Sequence, residues 1–79
     1  MNHIYDPYEI KLANEIADTL KDRDSITIHL QYVRKYKEEF LRKTLAKVMA
    51  MDESKIRKNR AALYTFLINQ SFKHGDAGH

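Results

Sequence analysis

Apolar residues recur every three or four positions along most of this chain, which is the spacing of one face of an α-helix. Only two glycines and one proline interrupt the 79 residues, and no cysteine is present. A short chain without disulfides has to stabilise itself by packing such helical faces together. We therefore predict an all-α fold, a compact four-helix bundle without a sheet, with helices at about 7–21, 25–36, 38–50 and 60–73.

The start of the first helix carries the clearest local signal. Asp6 fits the N-cap, Pro7 fits the first helical position, and Glu9 follows the cap by three residues. Together these residues predict a capping box. The apolar residues that follow fall on one helical face and are predicted to be buried. They are Leu12, Ala13, Ile16, Ala17 and Leu20.

The second helix is predicted to start from a polar turn, with Asp24 or Ser25 as its cap. The Ile-Thr-Ile segment at 26–28 also fits the start of a strand, but the chain offers no second strand to pair with it. We therefore prefer a helix. Its apolar face carries Ile26, His29, Val33 and Tyr36.

The boundary between the second and third helices is not marked by a glycine or a proline, so the sequence leaves open whether they are continuous. A break near Tyr36 and Lys37 is favoured, because the apolar positions beyond it fit a new helix better than an extension of the second. Those positions are Leu41, Leu45, Val48 and Met49.

Before the last helix, Asp52, Glu53 and Ser54 form a polar start signal, and Asn59 is a second possible cap. The inward-facing residues of this helix are predicted to be Leu63, Phe66 and Leu67, with either Tyr64 or Ile68 beside them. The whole chain is predicted to form a single helical domain over 1–79, with flexible ends at 1–5 and 75–79.

Residues suited to catalysis are scarce. The chain has no cysteine, no serine in a glycine-flanked elbow and no glycine-rich phosphate loop. We therefore predict no enzymatic activity, no catalytic residue and no cofactor. His29 lacks a histidine or carboxylate three or four positions away, which favours a structural histidine over a metal ligand. His3 has the geometry of an amino-terminal Cu(II) site, but so does any chain with histidine in third place, and we predict no metal site.

Charge is distributed unevenly along the chain. Residues 1–24 carry three bases against six acids, whereas residues 25–79 carry eleven bases against five acids. Two interpretations stay open: a polyanionic partner, or complementarity between neighbouring helices of the same chain.

The basic residues are the best functional lead, because lysine and arginine beside a helix start suit phosphate groups. They predict nucleic-acid or other polyanion binding without sequence specificity. The sequence leaves open whether they share one face. The candidate contacts are Arg34, Lys35, Arg42, Lys43, Arg57, Lys58 and Arg60.

A second function belongs to another class. A small core with surplus apolar residues often completes itself against another protein or a second copy, so a protein-interaction module or a homodimer is the alternative. Aromatic residues at helical spacing favour the core by default, although an exposed one beside basic residues suits base stacking. The candidates for an outer apolar surface are Ile4, Tyr5, Tyr8, Ile28, Met51 and Phe72.

Membrane association is not expected. No apolar run approaches the roughly 18–20 residues of a bilayer span, and the N-terminus lacks the pattern of a secretory leader. We therefore predict a cytoplasmic protein without a membrane partner.

Part of the pattern resembles a known small helical module. The residues that carry the likeness lie between 16 and 68: Ile16-Ala17, Leu20, Asp22, Ile56-Arg57, Arg60 to Tyr64, and Leu67. This pattern is similar to helical modules at the ends of some bacterial plasmid, phage and replication-associated proteins. The chain departs from them at Lys37 and Asn59, where a proline or glycine is expected. The resemblance implies a bacterial origin and an accessory role near DNA, and it transfers no catalytic residue.

Overall fold

The computed structural model of this chain describes residues 5–73, with the side chains of residues 5–70. Four α-helices follow one another without a strand in that range: α1 (Pro7–Leu20), α2 (Ile26–Lys35), α3 (Glu38–Ala50) and α4 (Arg60–Lys73). The predicted all-α class and its four helices are confirmed. The predicted flexible ends lie outside the described residues, apart from Tyr5.

The chain divides into two units, Met1–Lys37 and Glu38–His79. In the first unit α1 packs against α2, and a short 3-10 helix at Arg23–Ser25 lies between them. In the second unit α3 packs against α4, and a 3-10 helix at Glu53–Lys55 lies in the connection. Each unit is therefore built around one pair of packed helices. The prediction of a single domain over 1–79 stays a prediction.

The predicted capping box at the start of α1 is confirmed. The Glu9 amide donates to Asp6 Oδ1 at 2.9 Å, and the Asp6 amide donates to Glu9 Oε1 at 3.0 Å. Lys21 ends the helix in the left-handed conformation, with φ 55°, and the Asp22 amide then donates to the Ala17 carbonyl at 2.8 Å. All five residues predicted for the buried stripe of α1 are buried.

The start of α2 differs from the prediction. Neither Asp24 nor Ser25 caps it as expected: Ser25 stands at the N-cap position but its side chain makes no capping hydrogen bond, and Asp24 lies within the 3-10 helix. The 3-10 turn leads directly into α2, so the chain enters the helix through backbone hydrogen bonds instead. Of the predicted apolar face, His29, Val33 and Tyr36 are buried, whereas Ile26 is half-buried.

The break between α2 and α3 is confirmed. Tyr36 adopts an extended conformation, with φ −116° and ψ 158°, and this ends α2 without a glycine or proline. Tyr36 remains only 9% exposed, so the chain turns while keeping its aromatic ring buried. α3 then begins at Glu38, with Glu38 and Glu39 in its first turn.

The core face of α3 carries one error of prediction. Leu41, Leu45 and Val48 are buried as expected, but Met49 is 39% exposed. Thr44 is buried in its place. Its hydroxyl donates to the Phe40 carbonyl at 2.9 Å, which allows a polar side chain to be buried on this face.

The face that α4 buries is the largest correction. Tyr64 and Ile68 are both fully buried, whereas Phe66 is 58% exposed and Leu63 and Leu67 are half-buried. Residues two apart on a helix lie about 200° apart, so burial of Tyr64 and Ile68 turns Phe66 outward. The predicted burial of Phe66 is therefore wrong. The cap is confirmed, since the Ala62 amide donates to Asn59 Oδ1 at 2.7 Å.

Candidate functional site

A cleft lies in the second unit, between the chain that leads into α4 and the first turns of that helix. Its volume is about 270 Å³, and it is open on one side. This is close to the lower end of the ~300–1,000 Å³ range of ligand pockets, so it suits a single ring or a short chain. The lining residues are Lys55, Arg57, Lys58, Asn59, Ala62, Leu63 and Phe66.

Helix geometry explains why these residues meet. Asn59, Ala62 and Phe66 are spaced by three and four positions, so they follow one line along the start of α4. Leu63 lies beside that line, three positions before Phe66. Lys55 ends the 3-10 helix that precedes this segment. The apolar wall therefore comes from the helix, and the positive charge comes from the connection that precedes it.

The chemistry of the cleft is cationic and apolar together. Lys55, Arg57 and Lys58 are exposed and contribute three positive charges, and none of the described lining residues is acidic. Phe66 presents more than half of its surface to solvent. Such a site can attract an anionic group while it offers a ring face to an apolar one.

Arg60 faces the other way, although it belongs to the same basic segment. Its Nη1 donates to the Val48 carbonyl at 2.6 Å and to the Met51 carbonyl at 3.1 Å. Arg60, Tyr64 and Ile68 are four residues apart, so Arg60 shares the face that α4 buries. The guanidinium therefore satisfies carbonyl groups at the C-terminal end of α3, where a positive charge also suits the helix dipole.

Arg34 is engaged in the first unit. Its guanidinium donates twice to Glu9, with Nη2 to Oε1 at 2.7 Å and Nε to Oε2 at 3.2 Å, and it lies 4.4 Å from the centre of the Tyr5 ring. The hydrogen bonds from Arg34 hold the pKa of Glu9 below its usual value, with a further contribution from the Asp6 amide. This pair joins α1 to α2, as the interpretation of complementary neighbouring helices predicts.

The remaining candidate contacts are distributed over two helices. Lys35 lies at the end of α2, with its ammonium 5.8 Å from the centre of the Tyr36 ring. Arg42 pairs with Glu38 one turn earlier in α3, Nε to Oε2 at 2.6 Å. Lys43 is exposed on α3. Of the seven predicted contacts, the structure brings Arg57 and Lys58 together in the cleft.

His29 has the structural position that its sequence context favours. Its side chain is 1% exposed, and Nε2 lies 3.1 Å from Asp22 Oδ2. Asp22 precedes α2, so the contact ties the turn to the helix. Among the described residues no three histidine or acidic side chains come together as a metal would require. His3, His74 and His79 lie outside the described residues.

The apolar residues considered for a protein interface are only partly exposed. Tyr8 is 52% exposed and Ile28 is 42% exposed, whereas Tyr5 and Met51 are half-buried. Ile4 and the side chain of Phe72 lie outside the described part of the chain. No helix in that part is long and apolar enough to cross a bilayer.

Five residues that line the cleft are not among the contacts predicted from the sequence: Lys55, Asn59, Ala62, Leu63 and Phe66. Lys55 belongs to the basic segment but was not among the predicted contacts, and Asn59 was predicted only as a cap. A usable signal was the four-residue spacing of Arg60, Tyr64 and Ile68, which defines an inward face and leaves Phe66 opposite.

Comparison with known proteins finds no matching family model, no matching curated protein and no matching solved structure. The resemblance to small helical modules of plasmid, phage and replication-associated proteins therefore stays a prediction.

Proposed function

We propose that this protein acts by binding nucleic acid, without chemistry, and that the phosphate groups contact Lys55, Arg57 and Lys58. The observation that supports this most is the convergence of three cations on one cleft whose described lining contains no acid. A cationic concave surface attracts phosphate and releases condensed counterions when it binds. The protein is proposed to have no catalytic residue and no cofactor.

The positions of the other cations support the same choice. Arg34 and Arg42 form ion pairs with Glu9 and Glu38, and Arg60 donates to backbone carbonyls. An arginine already bound to a carboxylate gains less from a phosphate, because the first contact is lost or shared. We therefore propose the cleft as the main contact with phosphate. Weaker, secondary contacts are proposed for Arg34, Lys35, Arg42 and Lys43.

Phosphate contacts fix the position of a protein on nucleic acid but carry no sequence information. We therefore propose binding without sequence preference. A cytoplasmic location and a bacterial accessory role near DNA belong to the same proposal, because the resemblance to plasmid and replication-associated modules implies the latter. Fluorescence microscopy or fractionation of the tagged chain in a bacterial host would test the location.

The direct test is fluorescence anisotropy with a labelled single strand and a labelled duplex at low salt, where charge-driven binding is strongest. Replacing Lys55, Arg57 and Lys58 by glutamine removes the three cleft charges. We expect the affinity to fall at least about tenfold, which corresponds to the loss of two or three phosphate contacts.

A charge-matched control uses exposed lysines that are not proposed contacts. Lys11, Lys37 and Lys47 are exposed, and replacing them by glutamine lowers the net charge by the same amount. We expect this variant to bind within about threefold of the original protein, because none of these three lysines lines the cleft and exposed charges outside it are screened by salt. Equal losses in both variants would contradict a defined site, and no binding at low salt would contradict the function itself.

A second candidate is an interaction with another protein or a second copy of this chain. It is favoured by the large exposed apolar side chains of Tyr8 and Ile28 in the first unit. Light scattering at two concentrations tests it. A mass that rises with concentration and returns to the monomer in a Tyr8→Ser variant would support this function, and a constant monomer mass would contradict self-association.

A further inference from the structure

We infer that the cleft receives an unpaired base stacked on the Phe66 ring, so that the preferred ligand is single-stranded nucleic acid. This inference rests on the proposed function and narrows its ligand class. It starts from the outward position of Phe66, which is 58% exposed beside a basic segment.

The exposure of Phe66 follows from the way α4 packs. Tyr64 and Ile68 are fully buried and fix the rotation of the helix about its axis. Phe66 lies about 200° from each of them and cannot join the same core face. A large ring held outward on a regular helix is preorganised, because little backbone freedom has to be lost when a ligand covers it.

The size and shape of the cleft favour one ring at a time. The cleft has a volume of about 270 Å³, with α4 on one side and solvent on the other. A duplex keeps its bases stacked inside, so its ring faces cannot reach Phe66 without unstacking. An unpaired base is free to lie against the ring, with Ala62 and Leu63 as the apolar surroundings.

The charges lie where the backbone of such a strand has to pass. Lys55, Arg57 and Lys58 line the same cleft as Phe66 and belong to the segment that leads into α4. Proteins that bind single strands combine a cationic track for the phosphates with aromatic rings for the bases. The cleft contains both parts within twelve consecutive residues, from Lys55 to Phe66.

The test compares three labelled ligands by fluorescence anisotropy at low salt: an oligothymidylate of about twelve nucleotides, an abasic strand of the same length, and a duplex. Oligouridylate is included to separate DNA from RNA as the source. We expect the oligothymidylate to bind more tightly than the abasic strand, and more tightly than the duplex.

The Phe66→Ala variant separates stacking from charge. We expect it to weaken oligothymidylate binding by about 5- to 150-fold and to leave binding of the abasic strand unchanged, because stacking on one ring accounts for that range. The control is Met49→Ala, which removes another exposed apolar side chain from the same unit and is expected to change neither affinity. Circular dichroism confirms that each variant keeps its helices.

A second readout uses tryptophan, which the natural chain lacks. Replacing Phe66 by tryptophan keeps a stacking ring and provides a single fluorophore at the proposed contact. We expect its emission to be quenched by the oligothymidylate and to change little with the abasic strand, since quenching requires a base against the ring.

The outcomes distinguish this inference from the function on which it rests. If the triple glutamine variant loses binding while Phe66→Ala does not, the stacked base is refuted and the phosphate contacts stand. Equal weakening by Phe66→Ala on both single strands, or tighter binding of the duplex, also refutes it. If none of the ligands binds at low salt, the proposed function fails as well.

Discussion

Replacing Arg60 by alanine tests whether this residue stabilises the fold rather than the ligand. Its Nη1 donates to the carbonyls of Val48 and Met51, at 2.6 and 3.1 Å. A hydrogen bond to a charged group contributes about 1.5–3 kcal/mol when its partner is buried. Arg60 is half-buried, and water can replace part of what is lost, so we expect the free energy of unfolding to fall by about 2–3 kcal/mol.

That loss is large for a chain of this size. At 79 residues the total free energy of unfolding is expected to be ~4–12 kcal/mol. Urea denaturation followed by far-UV circular dichroism measures the change, and an unaltered m-value shows that the same surface is exposed. Arg60→Lys is expected to retain part of the stability, because an ammonium can reach a carbonyl but lacks the forked geometry of guanidinium.

Arg57→Ala is the matched control. Arg57 is the same residue type three positions earlier, but its side chain is exposed and lines the cleft. We expect its free energy of unfolding to stay within about 0.5 kcal/mol of the original protein, as for most surface substitutions. Equal stability of the Arg57 and Arg60 variants would refute the division of this basic segment into a structural and a binding part.

Three further predictions follow from burial and from the shifted pKa values. Ile16→Ala removes a side chain that is 1% exposed and should cost about 2–5 kcal/mol in urea denaturation, whereas Ile28→Ala, at 42% exposed, should cost far less. Arg34→Gln should raise the pKa of Glu9 toward 4.5 in an NMR carboxyl titration; because that pKa is lowered in the fold, its stabilising contribution is present above 4.5 and is lost as the pH falls. Burial raises the pKa of Tyr36 above 10.0, so stability should decline as the pH rises past that value, and Tyr36→Phe should reduce the decline in alkaline denaturation. An unchanged pKa of Glu9 in Arg34→Gln would contradict the role of the Arg34–Glu9 pair. An unchanged alkaline loss of stability in Tyr36→Phe would contradict the role of the buried Tyr36 ring.

The helices that the sequence predicts best are those with one strong stripe and a marked start. In α1 the Asp6 cap fixes where the helix begins, and polar residues opposite the stripe leave one choice of buried face. The break at Tyr36 was predictable for a similar reason, since the apolar stripe changes its phase there. Both signals depend on residues close together in the sequence, so they can be recognised without knowing the tertiary contacts.

α4 shows why the remaining detail escapes prediction. Between Ala61 and Ile68 the apolar residues of α4 fall on all sides of the helix, so the sequence fits more than one buried face. The prediction that Phe66 is buried was wrong. Tertiary contacts make the choice of face, among them the hydrogen bond from Arg60, at the start of α4, to the Val48 carbonyl near the end of α3. The spacing of apolar residues along one helix does not reveal a contact between residues twelve positions apart, such as Arg60 and Val48. The cleft therefore could not be predicted, because it exists only when α4 turns Phe66 outward.

The ion pairs illustrate the same limit for the candidate site. The uneven charge along the sequence left open a polyanionic partner or complementary charge between neighbouring helices, and it did not say which arginine would meet which acid. Arg34 meets Glu9 because α1 and α2 run side by side, whereas Arg42 meets Glu38 within one helix. Because acids already pair with Arg34 and Arg42, the basic segment at 55–58 is the better candidate interface.

An NMR titration of the isotope-labelled chain with an oligothymidylate shows directly whether the cleft at the start of α4 binds a single strand. We expect the largest amide shift changes to cluster between Lys55 and Phe66, with little change along α1. Changes centred on Arg34 and Lys35, or spread evenly over all four helices, would contradict binding at the cleft.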